Sequence, residues 1–163
     1  MFSNEDYLAE LLTEAGMVSA EEVAQARSAL SGGETIIEHL LAHSVLTQEN
    51  VAKTLAANAG IPFIRLSDVA FDPRITESIP EDKAKRYRVI PVQDEGSSLT
   101  VALADPLDFE ILDSLPHVIG RELHLVCVTY QDIQDHLKQF YHSNEAPASG
   151  GTGDGYSVMG GDA

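Results

Sequence analysis

The stretch from residue 88 to residue 115 constrains the fold more strongly than any other part of this 163-residue chain. Two apolar runs, at 89–92 and 99–104, flank the turn-forming cluster Asp-Glu-Gly-Ser-Ser at 94–98. Apolar runs separated by such a cluster predict a β-hairpin, here with a loop slightly longer than the tightest type. The hairpin supplies the first two strands of the predicted fold.

The residues after the hairpin predict one more strand between two helices. Asp105 suits a helix cap and Pro106 suits a first helical turn, where no backbone N–H is needed, so a helix is expected over 106–117. A buried strand at 123–128 and a last helix capped by Thr129 follow. This part of the chain therefore predicts a ββαβα unit, and a right-handed crossover places its last strand parallel to a hairpin strand and beside it.

The N-terminal third of the chain predicts helix throughout. Apolar residues recur at helical spacing in four segments between residues 4 and 58. Ser19, followed three residues later by Glu22, forms a capping box for the second helix, and Thr47 suits the cap of the fourth. Because the connections are short, neighbouring helices must pack as helical hairpins.

This helical part contains an internal repeat with an offset of 28 residues. The matching pairs are Leu8 with Ile36, Leu12 with Leu40, Met17-Val18 with Val45-Leu46, Ser19 with Thr47, Glu21 with Glu49, and Val23-Ala24 with Val51-Ala52. Any two capped amphipathic hairpins share some features, but here the caps agree as well as the apolar positions. The agreement therefore favours duplication of one helical hairpin.

Between the helical part and the hairpin the pattern is irregular. The Ala-Gly-Ile-Pro at 59–62 ends the helical pattern, and the Phe-Ile-Arg-Leu after it predicts a short strand or an extended linker. Short helices are expected after Asp72-Pro73 and from Pro80 to about Arg86.

These elements predict an α+β protein in three parts. A helical subdomain of four helices, arranged as two hairpins, occupies 1–60, and a small subdomain containing the ββαβα unit occupies 61–142. Gly, Ser, Ala and Pro dominate 143–163, which predicts a disordered linker or tail. Its Gly-Gly-Thr-Gly-Asp-Gly does not indicate a phosphate loop, because the Gly-Lys-Ser/Thr ending is missing.

The charge of the chain restricts its partners. Ten basic and 26 acidic residues give a net charge of −16, which repels phosphates, so no nucleic acid partner is expected. No apolar run reaches the roughly 20 residues of a membrane helix, and the acidic N-terminus is not typical of a signal peptide. A basic cluster of Lys83, Lys85, Arg86 and Arg88 is either a solvated helix end or a docking patch for an acidic neighbour.

Three groups of reactive residues have structural explanations. Cys127 lies inside an apolar run, which indicates a buried structural thiol and not a nucleophile. His39 and His43 have a spacing that can chelate a metal, but no third ligand has a convincing spacing, so no metal site is predicted. Asp105 and Asp108 look like paired carboxylates, yet cap and first-turn roles explain both.

A longer pattern runs through most of the chain. The sequence RVIPVQDEGSSLTVALADPLDFEILDSLPHVIGRELHLVCVTYQDIQDHLKQFY, which begins at Arg88, contains an Ala-Asp-Pro at 104–106 that is followed at a set spacing by Gly120 and Tyr141. Upstream, LAANAGIPFIRL and IPEDKAKRYRVIPV extend the pattern. Over about residues 5–142 it resembles the N-terminal, MshEN-like domain of the type II secretion and type IV pilus assembly ATPases.

That resemblance implies a non-catalytic regulatory and docking domain. In the family, this region precedes the ATPase core and helps to tether it to the cytoplasmic part of an inner-membrane platform protein. The implied partners are that platform protein and, at full length, the chain's own ATPase domain. The implied location is the cytoplasm, peripheral to the inner membrane. Because no Walker A sequence occurs here, no ATPase activity is expected of this chain, and an independent enzyme is a further alternative.

Some members of the family bind cyclic di-GMP with two copies of a motif similar to RLGxxLLxxGLLxxxxLxxxLxxQ. The two repeats lie where these copies belong. The candidate nucleotide-binding positions are therefore Tyr7, Leu8, Ala9, Gly16, Thr35, Ile36, Ile37 and Asn58. The resemblance implies no other cofactor.

The match to this motif is degenerate. Tyr7 and Thr35 replace the two arginines, and Ala9 and Ile37 replace the first glycine of each copy. Residues 1–58 contain nine acidic and two basic residues, whereas guanidinium groups normally bind the phosphates of such a ligand. Glycine lets a ligand approach the backbone, but an isoleucine side chain fills that space. Docking is therefore the leading hypothesis, and cyclic di-GMP reception is the alternative.

Overall fold

The computed structural model describes residues 2–141. Four helices come first: α1 (Glu5–Glu14), α2 (Ala20–Ala29), α3 (Ile36–Ala42) and α4 (Gln48–Ala59). The elements that follow are α5 (Glu81–Tyr87), β1 (Val89–Asp94), β2 (Ser98–Leu103), α6 (Phe109–Ile119), β3 (Glu122–Cys127) and α7 (Tyr130–Phe140). The predicted α+β class, with four helices before a ββαβα unit, is confirmed. The predicted tail at 143–163 lies outside the described residues.

Three of the four N-terminal helices, α2, α3 and α4, begin at a hydroxyl cap that accepts a hydrogen bond from a backbone N–H of the first turn. The Ser19 hydroxyl accepts a hydrogen bond from the N–H of Glu22 over 3.0 Å, and the Glu22 carboxylate accepts one from the N–H of Ser19 over 2.9 Å. Thr47 accepts from the N–H of Asn50 over 3.1 Å. The two predicted caps are therefore confirmed. Thr35, which the sequence pattern did not predict as a cap, forms a second capping box at the start of α3.

The two helical hairpins have the same turn geometry at the offset of 28 residues. Each first helix ends in a turn closed by an N–H that donates to a carbonyl oxygen over 2.9 Å: Met17 to Leu12, and Val45 to Leu40. Gly16 and Ser44 occupy equivalent positions in these turns, with φ of 77° and 60°. The repeat is therefore present in the backbone as well as in the sequence.

The sheet contains three strands in the order β1-β2-β3. β1 and β2 form the predicted antiparallel hairpin, in which Val89 lies opposite Leu103. β2 and β3 are parallel, as the crossover rule predicted, and Ser98 lies opposite Glu122. β1 is an edge strand, and an edge tolerates Pro91 because this residue has no N–H to donate to a neighbour.

Helices cover both faces of this sheet. Leu99, Val101 and Leu103 are buried on one face, in a cluster with Leu115 of α6. Ala102 is buried on the opposite face, in a cluster that includes α7. This alternation follows from the pleat of the strand, which directs successive side chains to opposite faces.

Cys127 joins the helical half to the sheet. Its side chain is fully buried in the core of the helical half, and its thiol donates to the carbonyl of Ala52 in α4 over 3.5 Å. The extended segment that follows α4 runs beside the end of β3, since the N–H of Ile64 donates to the carbonyl of Cys127 over 3.0 Å. α4 is therefore the helix through which the two halves contact each other.

The start of α6 differs from the prediction. The helix begins at Phe109 and its cap is Asp108, which accepts from the N–H of Ile111 over 3.3 Å. Asp105 instead begins a turn, because the N–H of Asp108 donates to its carbonyl over 3.2 Å. Pro106 occupies the second position of that turn, where its fixed φ is equally suitable. A helix starting at 106 with Asp105 as its cap was therefore wrong by one turn.

Two further predictions need adjustment. β3 was predicted to be buried, but its N-terminal part is exposed or half-buried and Cys127 is its fully buried residue. The reason is that the strand is flanked on its outer side only near Cys127.

The short helix expected after Asp72-Pro73 is a single 3₁₀ turn, Ile75–Ser78, and a second such turn, Leu66–Asp68, was not predicted. Among the helices of residues 2–141, none has the length and apolar character that a membrane crossing requires.

Candidate functional site

The eight candidate nucleotide-binding positions are divided between the core and the surface. Four of their side chains are buried in the helical half: Leu8, Ala9, Ile36 and Ile37. Of the others, Thr35 caps α3, Tyr7 is 40% exposed on α1, and Gly16 and Asn58 are exposed. The fold brings Leu8, Ile36 and Ile37 into one apolar cluster. These three residues therefore contribute to packing between the repeats.

At the N-terminus of α3, a backbone N–H group is already hydrogen-bonded to a side chain of α1. The carboxylate of Glu5 in α1 accepts a hydrogen bond from the N–H of Ile37 over 3.1 Å. Free N–H groups at helix N-termini are the ones that bind phosphate. The Ile37 side chain is fully buried and Ala9 is 3% exposed, so packed side chains stand where the family motif has glycine. The N–H of Ile37 is therefore already bonded to a carboxylate of the chain itself.

A groove of about 360 Å³ lies between α1 and α2. Its rim carries three acidic residues and one basic residue, and small or branched apolar side chains form its floor: Asp6, Glu10, Glu14 and Arg27 on the rim, Ala9 and Val23 on the floor. We call this surface the acidic groove. It combines apolar area with negative charge on an exposed face of the helical half.

Asp6 lies in the first turn of α1, where a negative charge is favourable, but Glu10 and Glu14 are not explained by the stability of this helix. Asp6, Glu10 and Glu14 are spaced by four residues, and like charges at that spacing destabilise a helix. Asp6 pairs with Arg27 over 3.1 Å at an exposed position. Within residues 2–141, the Glu10 and Glu14 carboxylates have no hydrogen-bond or ion-pair partner. The acidic groove therefore presents a negative surface that suits a basic partner.

The predicted histidine pair has local partners. The rings of His39 and His43 stack with centroids 4.1 Å apart. The Nδ1 of His39 lies 3.1 Å from a carboxylate oxygen of Glu34, and the Nδ1 of His43 lies 2.9 Å from the carbonyl of His39. In the part of the chain that the structure describes, no three His, Cys, Asp or Glu side chains are arranged to hold a metal.

Burial makes Cys127 unreactive. Removal from water, with a smaller effect from the negative charge of Asp105, raises the pKa of the Cys127 thiol to about 12. A thiol reacts through its thiolate form, so this group is not a nucleophile at neutral pH. The prediction of a buried structural thiol is confirmed by its complete burial.

A cavity of about 830 Å³ lies beside β1 in the α/β half. Asp94 on its wall accepts hydrogen bonds from the Ser78 hydroxyl over 2.7 Å and from the Gly96 N–H over 2.9 Å. These bonds, and the guanidinium of Arg121 at 3.1 Å, lower the pKa of Asp94 to about 2. Asp94 therefore links the 3₁₀ turn at Ser78, the hairpin loop at Gly96 and Arg121, the residue before β3.

The basic cluster predicted from the sequence gains two members in the fold. Lys85 and Arg88 line a groove together with Lys138 and Tyr130 of α7. Sequence reasoning missed Lys138 and Tyr130, because residues so far along the chain give no local signal that they meet. A positive surface therefore lies on the α/β half, whereas the acidic groove lies on the helical half.

Comparison with known families assigns this fold. The family model of the MshEN domain matches residues 59–147. The chain belongs to the MshEN domain family. The match begins at the last residue of α4, so it includes the α/β half, and the candidate nucleotide-binding positions lie before it. The resemblance inferred from the sequence is confirmed.

Curated relatives of this MshEN-domain chain are pilus ATPases. It is 26% identical over 135 residues to the type IV pilus assembly ATPase PilB of Myxococcus xanthus, covering 82% of this chain and 24% of that protein. It is 31% identical over 124 residues to PilB of Thermus thermophilus, covering 74% of this chain and 13% of that protein. The chain thus spans about a quarter or less of the length of these relatives.

Two solved structures share the fold of this MshEN-domain chain. A structure of MshE with cdg has a TM-score of 0.67 and 26% identity, and it covers 82% of this chain and 98% of that one. The N-terminal domain of XpsE has a TM-score of 0.64 and 21% identity, covering 84% of this chain and 95% of that one. The fold is therefore that of the N-terminal domains of secretion and pilus ATPases.

Proposed function

We propose that the chain is a non-catalytic docking and regulatory domain of a secretion or pilus-assembly ATPase. In this proposal, its helical half binds the cytoplasmic part of an inner-membrane platform protein, and its α/β half relays that contact to an ATPase domain. The protein then acts in the cytoplasm, peripheral to the inner membrane through its partners. Nucleotide hydrolysis belongs to the ATPase domain and not to this chain.

The observation that carries the proposal is the acidic groove on a domain of this family. Glu10 and Glu14 line it without partners among the described residues, beside the apolar floor formed by Ala9 and Val23. Charge complementarity of this kind steers a partner and sets specificity. The expected partner segment is a basic amphipathic helix or strand, whose apolar face covers the floor while its Lys or Arg side chains meet the rim.

Calorimetric titration with the purified cytoplasmic domain of the platform protein tests the proposal. We expect a saturable interaction that the double substitution Glu10→Lys/Glu14→Lys weakens by at least about tenfold, because it reverses two rim charges. Glu77→Lys/Glu122→Lys is the matched control, since it makes the same charge change on exposed side chains of the α/β half. No binding at high micromolar concentration, or an equal loss in the control, contradicts the proposal.

Reception of cyclic di-GMP is the second candidate function. What favours it is the similarity to a structure of MshE with cdg at 26% identity. Two observations argue against it. The Ile37 side chain is buried, and the N–H of Ile37 already donates a hydrogen bond to the Glu5 carboxylate. A guanine dinucleotide also meets a helical half with nine acidic residues and two basic ones.

Titration of the chain with cyclic di-GMP separates the two functions. Under the docking proposal the calorimetric signal is flat up to high micromolar ligand. A saturable signal that is lost on Tyr7→Ala, while the exposed Met17→Ala has no effect, supports the receptor function instead. Both residues lie in the first repeat and expose similar fractions, 40% and 37%, so a general disturbance of that surface affects both variants alike.

A further inference from the structure

Two adjoining cavities of about 300 Å³ each lie along α7 in the α/β half. Both are lined by Arg88, Tyr130 and Ile133, so together they form one elongated groove. We call it the basic groove. Its floor is apolar, because Ile133 is 1% exposed and Leu137 is half-buried.

Four of the chain's ten basic residues line this groove: Lys85, Arg86, Arg88 and Lys138. Such a concentration is notable in a chain with a net charge of −16. Lys85 also pairs with Glu81 over 2.8 Å. Within residues 2–141, the guanidinium groups of Arg86 and Arg88 lie within ion-pair distance of no carboxylate. Their charge is therefore available to a ligand.

Two carboxylates also line the groove, but backbone donors occupy them. Asp105 accepts from the N–H of Ser3 over 2.8 Å and from the N–H of Leu107 over 3.2 Å. Asp108 accepts from the N–H of Ile111 over 3.3 Å as the cap of α6. The four basic residues of the lining outnumber these two acids, so the groove remains favourable to an anion.

The backbone of Arg88 is strained, and its side chain is held at the centre of the groove. Arg88 ends α5 with φ of 54°, in the left-handed region, whereas α4 and α6 end at Gly60 and Gly120. Glycine is the residue that suits this conformation, and an arginine there costs stability. Its guanidinium lies 5.5 Å from the ring centroid of Tyr130 and hydrogen-bonds to the Tyr130 hydroxyl. The position is therefore explained by the placement of the guanidinium and not by the turn.

We infer that the basic groove binds an acidic peptide segment of a protein partner, in extended form, with apolar side chains on the floor and carboxylates against the arginines. Arginine is suited to this, because its planar fork binds carboxylates in a bidentate manner. The elongated shape fits a peptide better than a compact ligand. A membrane or a nucleic acid presents an extended anionic surface that also approaches the strongly acidic remainder of the chain and is repelled by it, whereas a short peptide meets the groove alone. This site is separate from the docking proposed for the helical half.

Fluorescence anisotropy on the full chain tests the inference. The probe is a labelled peptide of about ten residues that alternates glutamate with leucine and phenylalanine, which covers the groove at roughly 3.3 Å per residue. We expect saturable binding that weakens as ionic strength rises, because salt screens exposed charges. The same peptide with glutamine in place of glutamate should bind at least about tenfold more weakly.

Matched variants locate the site. Arg86→Gln/Arg88→Gln should weaken binding by about tenfold or more. Lys53→Gln/Arg74→Gln, which removes two exposed charges outside the groove, should leave binding within about twofold. Arg86→Gln/Lys138→Gln keeps the strained Arg88 backbone and should also weaken binding, so this second variant provides the test if the first does not fold.

Three results would overturn the inference. One is an equal loss in the groove variants and in Lys53→Gln/Arg74→Gln, which indicates non-specific attraction. Another is that the chain binds phosphatidylserine vesicles but not the peptide, and that the groove variants abolish the binding to vesicles. The third is peptide binding that does not weaken at raised ionic strength, because salt screens an attraction between exposed carboxylates and arginines.

Discussion

The two helical hairpins of the repeat have the same turns, and a hydroxyl caps the second helix of each, but they differ in what they bury. In the first hairpin, Ala26 is the buried residue of α2. In the second, α4 buries five residues: Val51, Ala52, Thr54, Leu55 and Ala56. Val23 and Val51 are equivalent in the repeat, yet Val23 is half-buried and Val51 is 1% exposed.

The neighbours of each helix explain this difference. α2 packs against α3, whereas α4 packs against α1, β3 and α7 and so lies between the two halves of the protein. The turns and the caps of the second helices depend on residues within a few positions of each other, and both correspond in the two repeats. Burial depends on which elements lie on either side, and α4 packs against β3 and α7 of the α/β half, whereas the main contact of α2 is with α3. Similar local sequences therefore give the same backbone turns in both repeats, but α4 contributes more buried apolar area to the stability of the protein than α2 does.

The largest expected effect comes from truncating Leu55, at the centre of α4. Its side chain is fully buried, so Leu55→Ala should destabilise the protein by about 2–5 kcal/mol. The equivalent residue in α2 is Arg27, whose ion pair with Asp6 is exposed, and Arg27→Ala should cost less than about 1 kcal/mol. Urea unfolding measures both variants. Similar losses would contradict the view that α4 is the central helix of the repeat.

Replacing the helix caps should have smaller and nearly equal effects in the two hairpins. Ser19→Ala and Thr47→Ala each leave a backbone N–H at a helix start without its acceptor, at a cost of about 1 kcal/mol. Equal changes in the urea midpoint show that the caps act locally, whatever the burial of their helices. Ser19→Thr and Thr47→Ser keep the hydroxyl and serve as controls. A much larger loss at Thr47 alone would mean that capping depends on the surrounding packing.

Exchanging the residue types at the equivalent turn positions Gly16 and Ser44 should have a smaller effect on stability. A Cβ at Gly16 meets no atom within 4 Å, so Gly16→Ser should cost only the left-handed backbone, about 1 kcal/mol. Ser44→Gly removes that cost but makes the unfolded chain more flexible, and should stabilise by a few tenths to about 1 kcal/mol. Thermal unfolding of the two variants should therefore shift in opposite directions. A destabilised Ser44→Gly variant would show that Ser44 makes contacts that Gly16 does not.

Much of the fold could be predicted because its signals are local. Ser19 and Thr47 precede periodic apolar residues, and the hairpin strands flank a turn cluster. The start of α6 was not predictable in this way, since Asp105 and Asp108 both suit a cap. The structure decides between them partly through a distant contact, because the Asp105 carboxylate also accepts the N–H of Ser3. No local pattern shows that contact.

The candidate sites were less predictable than the fold for the same reason. Residues of the repeat could be aligned with a ligand motif, but the sequence does not show that Glu5 reaches the N–H of Ile37. Likewise, Arg88 was recognised as part of a basic cluster, whereas Tyr130 and Lys138 join it only through the packing of α7. A site assembled from several elements is recognisable only when the tertiary contacts are known.

The smallest expected effect is a difference between the two repeats in how a glutamate contributes to stability as the pH changes. Glu49 in α4 accepts two hydrogen bonds from Arg65, over 2.6 and 2.9 Å, and pairs with Lys53 over 3.2 Å. The hydrogen bonds from Arg65, and then that from Lys53, lower the pKa of Glu49 below its usual value of 4.5. A carboxyl whose pKa is lower in the folded state stabilises the protein fully above its unfolded pKa, and this contribution is lost as the pH falls through the folded pKa. Glu21 is the equivalent residue in α2.

Glu49→Gln should therefore reduce stability at pH 7, and the difference from the unsubstituted protein should shrink as the pH falls below about 4.5. Glu21→Gln should leave both the stability at pH 7 and its pH dependence nearly unchanged, because Glu21 has no ion-pair partner within residues 2–141. Urea midpoints measured between pH 7 and pH 3 give both comparisons. Because the Glu49 side chain is 37% exposed, its effect should be the smallest of the four and should decrease with added salt. A pH-independent loss in Glu49→Gln would assign the role of Glu49 to packing against Arg65, and the charge would then not distinguish the two repeats.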